Sequence, residues 1–331
     1  MMVPSLVSCQ LFCLLMVALP CADAFTSPYT TATARRSAAK AALDQNDDEA
    51  AAANQLTWIL EKNCHYDDEK LPNPLEPAAL EAGHEVARWK EQDWEWEPSR
   101  RPKIANGAIF HGTLGVADAL ANGEKKDWFP SLVSFCNTEA FICSNYYPMV
   151  KNWLIHQKWH ATTVAKFVEN PEEAFNELGS SDAVFVRPDS PLKAFSGRVL
   201  QRDEANLRKL DHGFYYDDEN LPIIVAPICD IAKEEWRFVI VDGKVVAGSA
   251  YQADGRQGYA DASDNMKKAW DLAEVIASEI QAPEDVYVID IGECKEGDKL
   301  HLLELGPFSG CDLYECDRAK IVEAVEELLE A

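Results

Sequence analysis

The sequence predicts a mixed α/β fold, in which a small α/β block at residues 55–170 precedes an α+β block with antiparallel sheets at residues 171–331. Three observations predict it. Short apolar runs alternate with short helical stretches between residues 55 and 155, as in an α/β layer. Glu235–Val241 and Lys244–Tyr251 are joined by Asp242-Gly243, a two-residue type I′ hairpin signal. Val286–Ile291 and Leu300–Leu305 flank a polar turn and predict a second hairpin.

The 331 residues suffice for two domains or one large one. A hydrophobic fraction of 47% and nine Trp support packed cores rather than wholesale disorder. The net charge of −25 argues against nucleic acid or an anionic membrane as partner. Cys9, Cys13 and Cys21 fall in the amino-terminal segment. The other seven, Cys64, Cys136, Cys143, Cys229, Cys294, Cys311 and Cys316, are odd in number and form no CxxC. They indicate neither a disulfide framework nor a zinc site. Cys229 reads as buried in a strand, and Cys311 and Cys316 as small core residues.

Residues 1–24 read as a signal peptide. Leu11–Leu19 is too short to span a bilayer and Ala22-Asp23-Ala24 has the A-x-A cleavage pattern; one departure is that no positive charge precedes the run. Residues 25–54 are transit-peptide-like. Phe25–Leu43 is rich in Thr and Ser, carries Arg35, Arg36 and Lys40, and contains no acid; an acidic, Ala-rich spacer follows. A cut before Phe25 resembles the bipartite presequence of algae with secondary plastids. That resemblance implies passage through the ER to a plastid stroma; the alternative is secretion.

In the first block, Leu56–Leu60 predicts a strand, Pro77–Gly83 a short helix, Ala108–Phe110 a strand, and Val116–Asn122 a helix closed by Gly123. No phosphate-binding glycine fingerprint follows Phe110, and no P-loop occurs anywhere. His84, His111, His156 and His160 read as surface or capping residues, and Trp89, Trp94 and Trp96 as packing. Ser144–Phe167 reads as one or two linking helices ended by Pro171.

In the second block, Ala183–Arg187 and Arg198–Leu200 are strands joined by a loop carrying Lys193, Ser196 and Gly197, which can lay N–H groups and cations over phosphates. Ile223–Ile228 is a continuous apolar strand in which Pro227 leaves the ladder open. Arg237 shares a strand face with Glu235 and Val239. Asp264–Ile280 is an amphipathic helix with Asp264 as candidate cap, and Asp317–Leu329 closes the chain with Asp317 as cap.

The last hairpin carries an acid in each apolar run, Asp290 and Glu304. A five-residue turn, Lys295–Lys299, would set them opposite one another. Opposed like charges are destabilising, and a divalent cation between them removes the conflict. Oxygen-only ligation of this kind suits Mg²⁺. The plain alternative is a wet sheet edge with two solvated acids.

The order of Arg187, Lys193 and Phe195-Ser196-Gly197, then Glu235-Trp236-Arg237, then Asp290 and Glu304 resembles the ATP-grasp superfamily, and within it a clade of small ATP-grasp proteins. The resemblance covers about residues 105–331. It implies a small α/β pre-ATP-grasp domain followed by an ATP-grasp fold of two α+β subdomains. It implies ATP and Mg²⁺ as cofactors, with Arg187, Lys193, Ser196 and Gly197 on the phosphates. Ala226, Pro227 and Ile228 would form the adenine hinge, Asp230 would lie near the ribose, and Arg237 would sit by the γ-phosphate or acyl-phosphate. Asp290 and Glu304 would hold the metal. The implied activity is carboxylate–amine ligation on an unidentified substrate, with peptides and proteins among the candidates. The alternatives are an ATP-binding module without turnover, or phosphotransfer. One position departs from the pattern: Gly306 stands where the clade has Asn, leaving Ser309 or water as the substitute ligand.

Overall fold

The computed structural model describes residues 56–61, 72–89, 104, 107–124, 131–180, 182–210, 219–252, 257–295 and 299–331. Both presequence segments, Cys64, Trp94 and Trp96 lie outside them.

Two strands buried on both faces, Thr57–Glu61 and Ala108–His111, organise the first block as the centre of a parallel sheet of four strands. The four are β1 (Thr57–Glu61), β2 (Glu85–Trp89), β3 (Ala108–His111) and β4 (Leu132–Val133), in the order β2-β1-β3-β4. Parallel pairs need crossovers. Helix α1 (Glu76–Glu81) lies in the first and α2 (Leu114–Ala121) in the last. Ile59, Trp89 and Phe110 pack on Ala117 and Leu120 of α2. Trp58, Leu60 and Ile109 face the other way, into a core shared with the second block.

The linking segment departs from the helical reading. Cys143–Val150 is helix α3, but His160–Thr163 is a strand, β5, paired antiparallel with the later strand at Pro222–Ala226. The β-branched Thr162 and Thr163 suit a pleated surface, and a non-local partner overrides the helical aromatic spacing. Helix α4 (Val164–Glu169) is capped by the Thr163 hydroxyl. Pro171 starts a helix rather than ending one: α5 (Pro171–Leu178) has it in the first turn, where the missing N–H costs no helical bond. Strands β6 (Ala183–Pro188) and β7 (Arg198–Gln201), helix α6 (Leu207–Leu210) and strand β8 (Pro222–Ala226) follow. The four strands form an antiparallel sheet of order β5-β8-β6-β7, with its own core of Val164, Phe167, Phe175, Val184 and Val225.

The remaining chain builds a five-stranded antiparallel sheet from β9 (Ile231–Val241), β10 (Lys244–Gln252), β11 (Gln257–Tyr259), β12 (Val286–Cys294) and β13 (Lys299–Pro307), ordered β11-β10-β9-β12-β13. Asp242 and Gly243 have φ of 48° and 74°, as a type I′ turn requires. Helix α7 (Asp264–Glu279) and α8 (Arg318–Glu330) cover opposite faces. Alternation along β12 sends Tyr287, Ile289 and Ile291 toward α7 and Val286 and Val288 toward the first block. The cap of α7 is Ser263, whose hydroxyl accepts from the Met266 N–H, because Asp264 is already helical. Asp317 caps α8 as predicted.

Two expectations about burial are corrected. Cys229 is half-buried in the connection after β8, because that strand ends at Ala226 and leaves Pro227 and Ile228 outside it. His84, His111 and His156 are buried, not superficial, because they sit at strand ends and turns that the core closes over. Cys311 and Cys316 are buried, as expected, and burial pushes the Cys316 thiol up to about 12. Among the described residues no helix is long and apolar enough to cross a membrane.

Candidate functional site

The face of the five-stranded sheet toward the first block is laid out in rows. Ala247, Val239, Val288 and Gly306 make an apolar row within the core. One pleat along, Ser249, Arg237, Asp290 and Glu304 make a polar row; Tyr251, Glu235 and Gly292 make the next. The polar rows open into a cleft of about 310 Å³, walled by Lys193, Glu235, Arg237, Tyr251, Asp290 and Glu304 among others.

Asp290 faces Glu304, as the hairpin predicts, but by a different route. The strands close at Cys294↔Lys299, so four residues link them instead of five, and Leu303 is an extra residue opposite Asp290. This bulge lets Leu302 and Leu305 both face the α7 core while Glu304 faces the cleft. Gly292 makes room for it: a Cβ there would lie 2.7 Å from Leu303 Cδ1.

Each acid is held by cations. Arg237 donates from Nε to Asp290 Oδ1 at 2.8 Å and from Nη2 to Oδ2 at 2.7 Å, and from Nη1 to the Asp312 carbonyl at 2.9 Å. Glu304 takes Arg187 Nη2 at 3.2 Å and Lys193 Nζ at 3.1 Å. Burial works against the charge on Glu304, but Lys193, Arg187 and Arg237 together outweigh it and hold the carboxyl down at about 2. Arg187 comes from the buried end of β6. The next turn is fixed by Asp189, whose carboxylate accepts from the Ser144 N–H at 2.7 Å and hydroxyl at 2.6 Å.

The structure thus brings Lys193, Arg237, Asp290 and Glu304 to one cleft, with Arg187 behind Glu304. Ser196 and Gly197 lie in the β6–β7 loop; a Cβ on Gly197 would lie 2.5 Å from the Phe185 ring. Ala226, Pro227 and Ile228 lie at and beyond the end of β8, outside the cleft walls. Beside them His156 stacks on Phe185 at 5.3 Å and 18°; burial and Arg187 lower its pKa to about 4. Asp230 is ion-paired with Lys295 at 2.7 Å.

Ser309 is excluded as a substitute ligand. It is fully buried, donating to the Phe110 carbonyl at 2.7 Å and accepting from the Phe135 N–H at 2.8 Å. The two facing carboxylates suit the Mg²⁺ mode of one or two carboxylates plus phosphate oxygens. Among the described residues no group of three or more metal-type side chains converges.

Sequence reasoning missed Glu235, Tyr251 and Tyr314 as cleft residues. Tyr251 and Tyr314 stack at 4.4 Å and 7°, with the Arg237 guanidinium 5.7 and 5.2 Å from the two rings. The Tyr251 hydroxyl donates to Glu235 Oε2 at 2.5 Å. Burial, partly offset by that bond, raises the Glu235 pKa. Only the face shared by Glu235 and Arg237 was available as a signal; Tyr314 comes from the turn before α8.

Residues 162–324 match a family described as an ATP-grasp domain, family 2 of its clade. Among solved structures, the chain resembles D-cycloserine synthetase DcsG at 14% identity and a TM-score of 0.56, over 83% of this chain and 99% of that one. It resembles a RimK domain protein ATP-grasp from Sphaerobacter thermophilus DSM 20745 at 13% identity and a TM-score of 0.51, over 83% and 100%. These likenesses concern the fold. None of the curated proteins matches the chain.

Proposed function

We propose, from the premise that residues 162–324 are an ATP-grasp domain, that the chain is an ATP- and Mg²⁺-dependent ligase joining a carboxylate to an amine. The observation that carries this reading is the pair Asp290 and Glu304, facing across adjacent strands and surrounded by Arg187, Lys193 and Arg237.

Asp290 and Glu304 would hold Mg²⁺, which when bound neutralises phosphate charge. For the two carboxylates to hold the metal, Lys193 and Arg187 would have to leave Glu304, and Arg237 an oxygen of Asp290; Lys193 and Arg187 would then be free to meet the phosphate oxygens. The Ser196-Gly197 loop covers the phosphates, the backbone of Ala226, Pro227 and Ile228 faces the base, and Asp230 lies toward the ribose. A substrate carboxylate oxygen attacks the γ-phosphorus; the bond to the β–γ bridging oxygen breaks, and ADP leaves with the electron pair. Arg237 steadies the acyl-phosphate. The amine nitrogen then attacks the acyl carbon, the C–N bond forms, the C–O bond breaks, phosphate departs, and the amine proton passes to solvent. The protein supplies position and charge.

Mg-ATP titration of Asp290→Asn and Glu304→Gln tests this: each should weaken binding by at least about tenfold. Unchanged affinity in both removes the metal site and the ligase reading with it.

Gly306 favours a second reading, an ATP-binding module without turnover. A Cβ at 306 would meet Val288 Cγ2 at 3.2 Å, close but not blocked. ATP bound but not turned over in both wild type and Gly306→Asn, across carboxylate and hydroxyl acceptors, selects the module. Phosphorylated hydroxyl products select phosphotransfer. The presequence reading adds a plastid, reached through the ER, as the place of action.

A further inference from the structure

We propose, resting on the ligase reading above, that Glu235 with the rings of Tyr251 and Tyr314 forms the acceptor subsite, which binds the incoming amine as its primary ammonium form; the ammonium gives one proton to solvent, and the neutral nitrogen is then the nucleophile. Glu235 stands one row from Asp290 on the same sheet face and lines the same cleft. The other two carboxylates are occupied, Asp290 by Arg237 and Glu304 by Arg187 and Lys193. Glu235 has no ion-pair partner among the described residues. Its Oε2 accepts from the Tyr251 hydroxyl at 2.5 Å, and among the described residues nothing donates to Oε1. Burial raises the Glu235 pKa, and a cation bound at this carboxyl would offset that by favouring its charged form.

The chemistry of the wall decides which cation. Mg²⁺ asks for several oxygens in octahedral array, and this side of the cleft offers two stacked aromatic rings instead. A primary ammonium donates up to three hydrogen bonds and tolerates aromatic neighbours well. Tyr314 is fixed against Tyr251. Its backbone has φ of 46°, uncommon for a residue with a side chain, and Gly258 makes the space, since a Cβ there would lie 2.5 Å from Tyr314 Cβ. The net charge of −25 also favours approach of a cationic amine over an anionic one.

The test uses the full chain with Mg²⁺ and a non-hydrolysable ATP analogue, titrated with n-butylammonium and separately with n-butanol, read by ligand-detected NMR. Wild type should bind butylammonium about tenfold more tightly than butanol, and Glu235→Gln should lose that preference. Equal binding of the two compounds by wild type overturns the subsite, and so does a folded Glu235→Gln that keeps the preference. The wild-type comparison decides alone if the variant does not fold. Failure of wild type to bind the nucleotide overturns the ligase reading and takes this proposal with it; nucleotide binding without amine preference overturns this proposal alone.

Discussion

Lys193 reaches across the cleft from the loop after β6 to place its ammonium 3.1 Å from Glu304, a residue of a different sheet. It does so from a backbone with φ of 49°, a conformation costing a residue with a Cβ about 1 kcal/mol. Lys193→Met should therefore raise the Glu304 pKa from about 2, seen in a carboxyl-carbon NMR titration. It should also weaken ATP by about tenfold. An unshifted Glu304 titration would show that the contact is not made in solution.

The same carboxyl makes stability depend on pH. Its folded pKa lies below the ordinary 4.5, so its contribution is fully present above about 4.5 and is lost as pH falls through about 2. The side chain is 17% exposed, so solvent screens it little, and the contribution is at most about 3 kcal/mol. Urea melts from pH 7 to pH 2 should show a steeper acid limb for wild type than for Glu304→Gln. Parallel limbs would contradict the assignment.

Arg237 and Asp290 have side chains only 12% and 6% exposed. Removing one partner strands a buried charge, so Arg237→Met should cost about 3–5 kcal/mol. Asp290→Asn in the same chain should restore a large part of that. Additive costs in the double-mutant cycle would mean that the two side chains do not interact.

Ser309→Ala removes a buried hydroxyl that serves two backbone groups, the Phe110 carbonyl and the Phe135 N–H. The expected loss is about 2 kcal/mol by chemical denaturation, with Mg-ATP affinity of the folded protein unchanged. Loss of Mg-ATP affinity at unaltered stability would instead return Ser309 to the candidate ligands.

The legible parts of the fold were those encoded over a few residues. Asp242-Gly243 announces its hairpin because that turn demands positive φ at both positions. The Asp290–Glu304 opposition was readable because both acids interrupt apolar runs, although the bulge at Leu303 was not: an extra residue in one strand leaves no mark on its alternation until the partner is known. Strand β5 was hidden for a similar reason, since its partner β8 lies some sixty residues on. Glu235 was visible as the face-mate of Arg237, but Tyr251 and Tyr314 meet only through tertiary packing. Polarity is a poor guide to exposure for the buried histidines; His111, closing the apolar run Ala108–His111, was the available warning.

The core that joins Trp58 and Ile109 to Val239, Val288 and Val325 runs without a seam from the parallel sheet into the five-stranded one, and the Ser309 hydroxyl pins the junction. The four-stranded sheet keeps a separate core. The cleft therefore lies where two independently packed bodies meet. Arg187 and Lys193 come from the smaller sheet and its loop and Glu304 from the larger one, so these two ion pairs are a tie between bodies that share no core.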